Sequence, residues 1–126
     1  MKKIWSRSWK ASVQPRKQRK YSVNAPLHIA RKLMSVNLSK DLRQKYKKRN
    51  IPVRKGDTVK IIVGQFKGKT GKVEKVNLKQ RKVYVDSVSL KKRDGNKRYY
   101  PLESSNLRIL ELSLDDKLRR KLLDRK

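Results

Sequence analysis

The chain contains no cysteine, which excludes a disulfide, a thiolate nucleophile and any cysteine-ligated zinc site. It has a single histidine, His28, so a histidine-rich metal site is excluded as well. Acidic residues are scarce, with 10 Asp or Glu against 38 Lys or Arg in 126 residues. They are scattered, whereas a metal-dependent nuclease needs clustered carboxylates. No catalytic set emerges, no cofactor is expected, and an enzyme is not expected. No apolar run approaches the length that crosses a bilayer. The opening stretch, Met1 to Gln14, is basic but lacks an apolar segment and does not read as a secretory signal. The expected compartment is the cytoplasm. Glycines and aromatics are few, at 5 Gly, 1 Phe, 2 Trp and 5 Tyr, so their positions carry information.

What is abundant is positive charge. The formal net charge is +28 and the isoelectric point is about 10.9. Such an excess opposes compaction unless an anionic partner neutralises it, and it points to nucleic acid. A surface that is charged only for solubility mixes both signs. More than half of the excess lies in residues 1–54, which hold one acidic residue, Asp41, and no glycine. The chain therefore divides into a basic N-terminal arm with short helices (1–54), a more balanced core (55–112), and a C-terminal helix with a basic tail (113–126). One modest domain plus extensions fits this length.

Within the arm, Pro15-Arg16-Lys17-Gln18-Arg19-Lys20 has no apolar periodicity and is expected to be extended. Residues 26–34 can form a short helix, with Pro26 in its first turn and Leu27, Ala30, Leu33 and Met34 on one face. Ser39 is suited to cap a second helix that reaches about Tyr46 and ends at Asn50-Ile51-Pro52.

The period then changes. Val59, Ile61 and Val63 alternate, as do Val83 and Val85, while Val73 and Val76 stand three apart, which hints at a bulge. Turn signals recur at Gly56-Asp57, Gly64 to Gly71, Lys79-Gln80-Arg81 and Asp94-Gly95, and later strands are expected at Tyr99-Tyr100 and Leu107 to Leu112. Several short strands at close spacing predict a mostly β fold, a small antiparallel barrel. Asp115 and Asp116 mark the start of a last helix, with Leu118, Leu122 and Leu123 on its apolar face.

Gly64-Gln65-Phe66-Lys67-Gly68-Lys69-Thr70 looks like a nucleotide-binding loop but is one residue too short, and a strand rather than a helix follows it. Its alternative reading is phosphate contact through Lys67, Lys69, Lys72 and the backbone amides around Gly68. A tight connection with solvated lysines is the alternative, but three lysines on one tip in so cationic a chain favour contact. Lys47-Lys48-Arg49 and Arg16-Lys17-Arg19-Lys20 flank predicted helices and are stronger phosphate candidates. Arginine ranks above lysine because it grips phosphate with two donors. Arg31 and Lys32, beside His28 on the first short helix, join them. Lys91-Lys92-Arg93 is equally an exposed hairpin tip. Phe66 can stack on a base or plug the barrel, Trp5 and Trp9 can stack on a base or dock on a partner, and Tyr84, Tyr99 and Tyr100 read as barrel residues.

The core resembles the KOW motif, in Gly56-Asp57, Val59, Ile61, Gly64, Lys67-Gly68, Gly71, Val73 and Val76. That motif is shared by ribosomal proteins and transcription elongation factors. The arm is more specific. Gln14-Pro15-Arg16-Lys17-Gln18-Arg19-Lys20, Asn24-Ala25-Pro26-Leu27-His28, Lys32-Leu33-Met34-Ser35, Leu38-Ser39, Leu42-Arg43 and Lys45-Tyr46 resemble the archaeal and eukaryotic branch of the large-subunit KOW ribosomal proteins, the family numbered twenty-four in universal naming. Tyr100-Pro101, Ser105-Asn106 and Leu110 extend the resemblance to about residues 14–123.

The resemblance implies an SH3-like barrel with an rRNA-binding arm and a cytoplasmic, ribosomal location. It further implies early assembly onto large-subunit rRNA near the polypeptide exit tunnel, neighbouring ribosomal proteins as partners, and no independent homo-oligomer. It carries RNA contact onto Arg16, Lys17, Arg19, Lys20, His28, Lys32, Arg49, Lys67 and Lys69. Met1 to Val13 falls outside the pattern, and Ser87 to Tyr99 matches it only loosely. A KOW-type transcription elongation or RNA-chaperone factor is the alternative, and a chromatin-like protein binding duplex DNA is a third.

Overall fold

Short strands in this chain bury one face and expose the other, and they are too short to be stable except within a shared sheet. The computed structural model describes residues 4–125. In chain order it contains a 3-10 turn at Arg7–Ala11, α1 (Pro15–Val23), α2 (Leu27–Leu33), β1 (Ser35–Leu38), α3 (Lys40–Tyr46) and β2 (Asn50–Pro52). There follow β3 (Thr58–Ile61), β4 (Thr70–Asn77), β5 (Lys82–Val85) and the hairpin β6 (Ser89–Lys91) and β7 (Lys97–Tyr99). A second 3-10 turn (Ser104–Asn106), β8 (Leu107–Glu111) and α4 (Lys117–Asp124) complete the chain.

The β-rich fold with a helical arm and a C-terminal helix matches the expectation. Its sheet differs in detail. Six strands are ordered β2-β1-β8-β3-β4-β5, with β6 and β7 in a separate pair. The β1–β8 pair is parallel, so the sheet is mixed rather than wholly antiparallel. Among the described residues no ladder joins β2 to β5, so the sheet does not close into a barrel. The outer side of β5 is covered at one point, where Val83 and Leu102 exchange backbone hydrogen bonds of 2.8 and 2.9 Å.

Strands β1 and β2 lie in the segment read as arm. Met34, Val36, Leu38, Ile51 and Val53 from that segment are buried with Val59, Ile61, Val73, Val83, Val85, Leu107 and Ile109. Asn50-Ile51-Pro52, expected to end a helix, is itself a strand. The helix before it ends at Lys47, which adopts the left-handed conformation at φ 52°. Ser39 caps that helix as expected, its Oγ accepting the Leu42 amide at 3.4 Å. The expected bulge also lies where the valine spacing placed it, with the β4–β5 register shifting between Val73 and Lys75.

Residues 15–20, expected to be extended, begin α1. The cause lies in the leader. Trp5 packs on Tyr21 with ring centroids 5.5 Å apart, and its indole Nε1 donates to the Tyr21 carbonyl at 3.0 Å. Asn24 Nδ2 donates to the Ile4 carbonyl at 3.1 Å, and Gln18 Nε2 donates to the Lys10 carbonyl at 3.0 Å. Pro15 suits the first turn. An isolated helix this short is marginal in water, and these contacts from residues 4–12 supply what its own sequence lacks. Trp5→Ala keeps every arm cation but removes the ring and the indole bond. It should speed amide exchange across residues 15–23 while leaving the sheet amides as protected as before.

Two glycines in the β3–β4 connection, Gly64 and Gly68, take φ of 101° and 90°, conformations costly for any other residue. Gly71 is different. A Cβ there would lie 2.8 Å from Val85 Cγ1 and would collide with the Asp86 carboxylate and the Ser87 hydroxyl. Asp86 Oδ1 is held in place by the amides of Lys72 at 3.0 Å and Ser87 at 2.6 Å, so it cannot simply swing aside. Gly71→Ala is therefore expected to destabilise the fold by about 1–3 kcal/mol, as overpacking does, read as a lower urea midpoint at unchanged slope.

Helix α4 is fastened to the sheet by charge as well as by Leu123. Arg119 and Asp57 are both buried, and the guanidinium meets both carboxylate oxygens, Nη1 to Oδ1 at 2.6 Å and Nη2 to Oδ2 at 2.7 Å. The same carboxylate accepts the Arg54 amide at 2.9 Å and the Ser113 amide at 3.1 Å. Asp57 had a sufficient reading as a turn residue beside Gly56; its buried partner lies 62 residues away. Asp116 caps α4 by accepting the Leu118 amide at 2.8 Å and also pairs with Arg54. The Arg54 hydrogen bond, then the Leu118 amide, hold its carboxyl below the usual aspartate range.

Candidate nucleic-acid interface

Helix α1 presents its charge by spacing. Arg16, Arg19 and Lys20 stand three and four residues apart and share a face, while Gln18 and Tyr21, which hold the leader, lie on the opposite one. Lys17 flanks the basic face. All four cations are exposed, and α1 buries none of its residues. His28, Arg31 and Lys32 repeat the arrangement on α2, again exposed and three and four apart. Ala30 and the following Met34 anchor that helix, whereas Leu27 and Leu33, expected on the same apolar face, remain largely exposed.

The α2 face borders a groove of about 340 Å³ shared with Ile51, Pro52, Leu118 and Leu122. Lys48 reaches the far side of this region, donating through Nζ to the Leu122 carbonyl in the last turn of α4. There it satisfies a helix-end acceptor, which gives it a structural task beside any contact with phosphate. Lys47 and Arg49 are exposed on either side of it.

The β3–β4 loop is a separate cationic patch: among the described residues no hydrogen bond or ion pair links it to α1 or α2. Three of its backbone amides are already engaged. Lys67 N donates to the Gly64 carbonyl at 3.0 Å, Gly68 N to Ile61 at 2.9 Å and Lys69 N to Phe66 at 3.2 Å. The loop therefore offers an anion the ammonium groups of Lys67 and Lys69, not free N–H groups at those positions. Lys72 is exposed on β4, with its amide bound to Asp86. Phe66 packs on Tyr100 at 5.3 Å and is partly buried against the core, with Lys69 Nζ 5.3 Å from its ring centre. Of its two expected roles, Phe66 takes the packing one.

Among the described residues, none of these cations pairs with a carboxylate. The ion pairs there are Arg54–Asp116, Lys55–Glu74, Lys82–Glu103 and Arg119–Asp57. Among the described residues the ion pairs thus lie at Arg54, on the core or at α4, and the cations of α1 and α2 stand uncompensated. An arrangement of this kind can neutralise phosphates along a backbone.

Residues 12–126 match the family model that describes the ribosomal proteins called L26 in eukaryotes and L24 in archaea. The chain belongs to this ribosomal protein family. It is 51% identical over 115 residues to the large ribosomal subunit protein uL24 of Methanosphaera stadtmanae, an alignment covering 91% of this chain and 98% of that one. The family match takes in α1, α2 and the whole sheet, but begins after Trp5 and Trp9. The leader that folds α1 is thus outside the family model.

Two features of this ribosomal protein escaped sequence reasoning. Trp5 is a docking residue for α1. Arg119 is the buried anchor of α4, and its spacing three residues after Asp116 and four before Leu123 was the available signal. An arginine on that face reads as solvated until Asp57 is known to lie beneath it.

Proposed function

We propose that the protein is a structural constituent of the large ribosomal subunit that binds rRNA through the cationic faces of α1 and α2. Binding is completed by Lys47, Arg49 and the Lys67–Lys69 loop, and the sheet fixes their geometry. The observation that carries this reading is the exposed charge of α1 and α2, unpaired among the described residues, in a chain of this ribosomal family. Phosphate neutralisation releases counterions, so affinity falls steeply with salt. Family membership supports assembly early in subunit formation, a position near the polypeptide exit tunnel, contacts with neighbouring ribosomal proteins, and residence in the cytoplasm on the ribosome. No helix among the described residues is long and apolar enough to cross a membrane.

Sedimentation of the tagged chain from lysate through a sucrose gradient, after a high-salt wash, tests the reading. Co-migration with the large subunit at about one copy each is expected of a positioned binder. Release to the top of the gradient, or travel with polymerase or DNA, would favour the elongation-factor alternative and reject this one.

A further inference from the structure

A cleft of about 930 Å³ opens where β4, β5 and β7 meet the side of α2. Its floor is apolar: Val76, Leu78 and Tyr84 line it, each half-buried. Tyr84 lies between the core residues Val83 and Val85, so strand alternation turns it to the opposite face of β5. Tyr99 on β7 forms a wall and is 47% exposed. Among the described residues, neither tyrosine packs on another ring and neither hydroxyl makes a hydrogen bond. Around the rim stand Arg31, Lys75 and Arg98, all exposed and none in an ion pair among the described residues. The one acidic lining residue, Glu74, is already bonded to Lys55 at 3.1 Å.

We propose that this cleft receives one unpaired base of an RNA, with the phosphates on either side held by Arg31, Lys75 and Arg98. The proposal rests on the rRNA-binding reading and adds to it a site on the outer face of β4 and β5, which shares Arg31 with the cationic face of α2. The chemistry selects the occupant. A duplex backbone would use the cationic rim and leave two aromatic faces and an apolar floor unused. An apolar peptide would use the floor and leave three cations around it unneutralised. An extruded nucleotide satisfies both, because every base has a flat π-face for stacking and every base is flanked by phosphate. The cleft is also of a size that encloses a small ligand.

The test uses the whole chain and two RNA hairpins, one fully paired and one identical except for a single bulged 2-aminopurine. Binding should change the bulge fluorescence. Tyr84→Ala with Tyr99→Ala should abolish that change and weaken the bulged complex by roughly five- to a hundredfold, the range for loss of a base–aromatic stack. Affinity for the paired hairpin should be unchanged, and phenylalanine at both positions should restore the bulged complex. Equal loss on both hairpins would overturn the proposal by making the tyrosines supports of the fold. So would a wild-type chain that binds both hairpins equally with no fluorescence change, as would displacement of the fluorescence signal by an acidic, tyrosine-rich peptide with RNA still bound. In those cases RNA binding itself survives. A wild-type chain that binds neither hairpin would remove the underlying reading as well.

Discussion

Asp57→Ala is expected to destabilise the protein by about 3–5 kcal/mol, the cost of leaving a buried charge without its partner. The substitution strands the Arg119 guanidinium, which is 4% exposed, and removes the acceptor for two amides, Arg54 N and Ser113 N. Domains of this size have about 5–15 kcal/mol in total, so the loss is a large part of the whole. The chain has one local escape. Arg119 sits on the terminal helix, and α4 can peel away to hydrate it, at the expense of exposing Leu123 and losing about 1.5–3 kcal/mol of apolar burial.

Arg119→Met leaves the opposite problem. Asp57 remains fully buried but keeps both amide donors, and methionine can occupy part of the vacated space without a charge. It should therefore be the milder of the two single substitutions. Urea unfolding followed by circular dichroism orders the three proteins, and amide exchange in residues 117–124 shows whether α4 opens first. Equal midpoints for Asp57→Ala and the wild-type chain would mean that the pair contributes nothing net.

Arg16→Ala with Arg19→Ala should act in the opposite sense, weakening rRNA binding while the melting temperature stays where it was. Both side chains are exposed on a helix that buries none of its residues, so no packing is lost. Alanine also has a high helix propensity and does not open the helix from within. If each arginine neutralises a phosphate, the slope of log affinity against log salt should shrink by about two units, one for each contact. Binding would then weaken uniformly across RNA sequences, since phosphate contacts carry no base information. A fall in melting temperature would instead place these arginines in the fold. An unchanged salt slope would remove α1 from the interface.

How much could be read from the sequence depends on the distance over which each feature is determined. Ser39 and Asp116 cap helices because a short polar side chain reaches an amide two or three residues on, and nothing remote is needed. Val59, Ile61, Val83 and Val85 announced their strands because side chains alternate with period two. The valine spacing at residues 73 and 76 announced a bulge for the same reason. The exposed cations of the arm were legible as a group, because charge of one sign without acidic neighbours has nowhere to go but outward.

Where a residue's state is set by a partner far along the chain, local pattern was silent or misleading. Residues 15–20 looked extended, and a tryptophan well before them in the chain makes them helical. Val36 and Leu38 on β1 and Ile51 on β2 lie in strands too short to declare themselves; β1 is secured by pairing with β8 about 70 residues later, and β2 by pairing with β1. Tyr84 lies on a strand of the main sheet as expected and Tyr99 on the separate hairpin, but that the two share an open cleft is set by the tertiary structure.

Composition and near neighbours were thus enough for the charge, its concentration in the arm, the capped helix ends and the alternating core strands. Each of these is settled within a turn or a pleat. Three outcomes waited on the folded chain: the buried Asp57–Arg119 pair, the β3–β4 loop that spends the amides of Lys67, Gly68 and Lys69 on itself and on β3, and the parallel entry of β1 into the sheet. They depend on which surfaces meet after the chain has crossed itself, and burial then decides whether a charge is solvated, paired or left free for a partner.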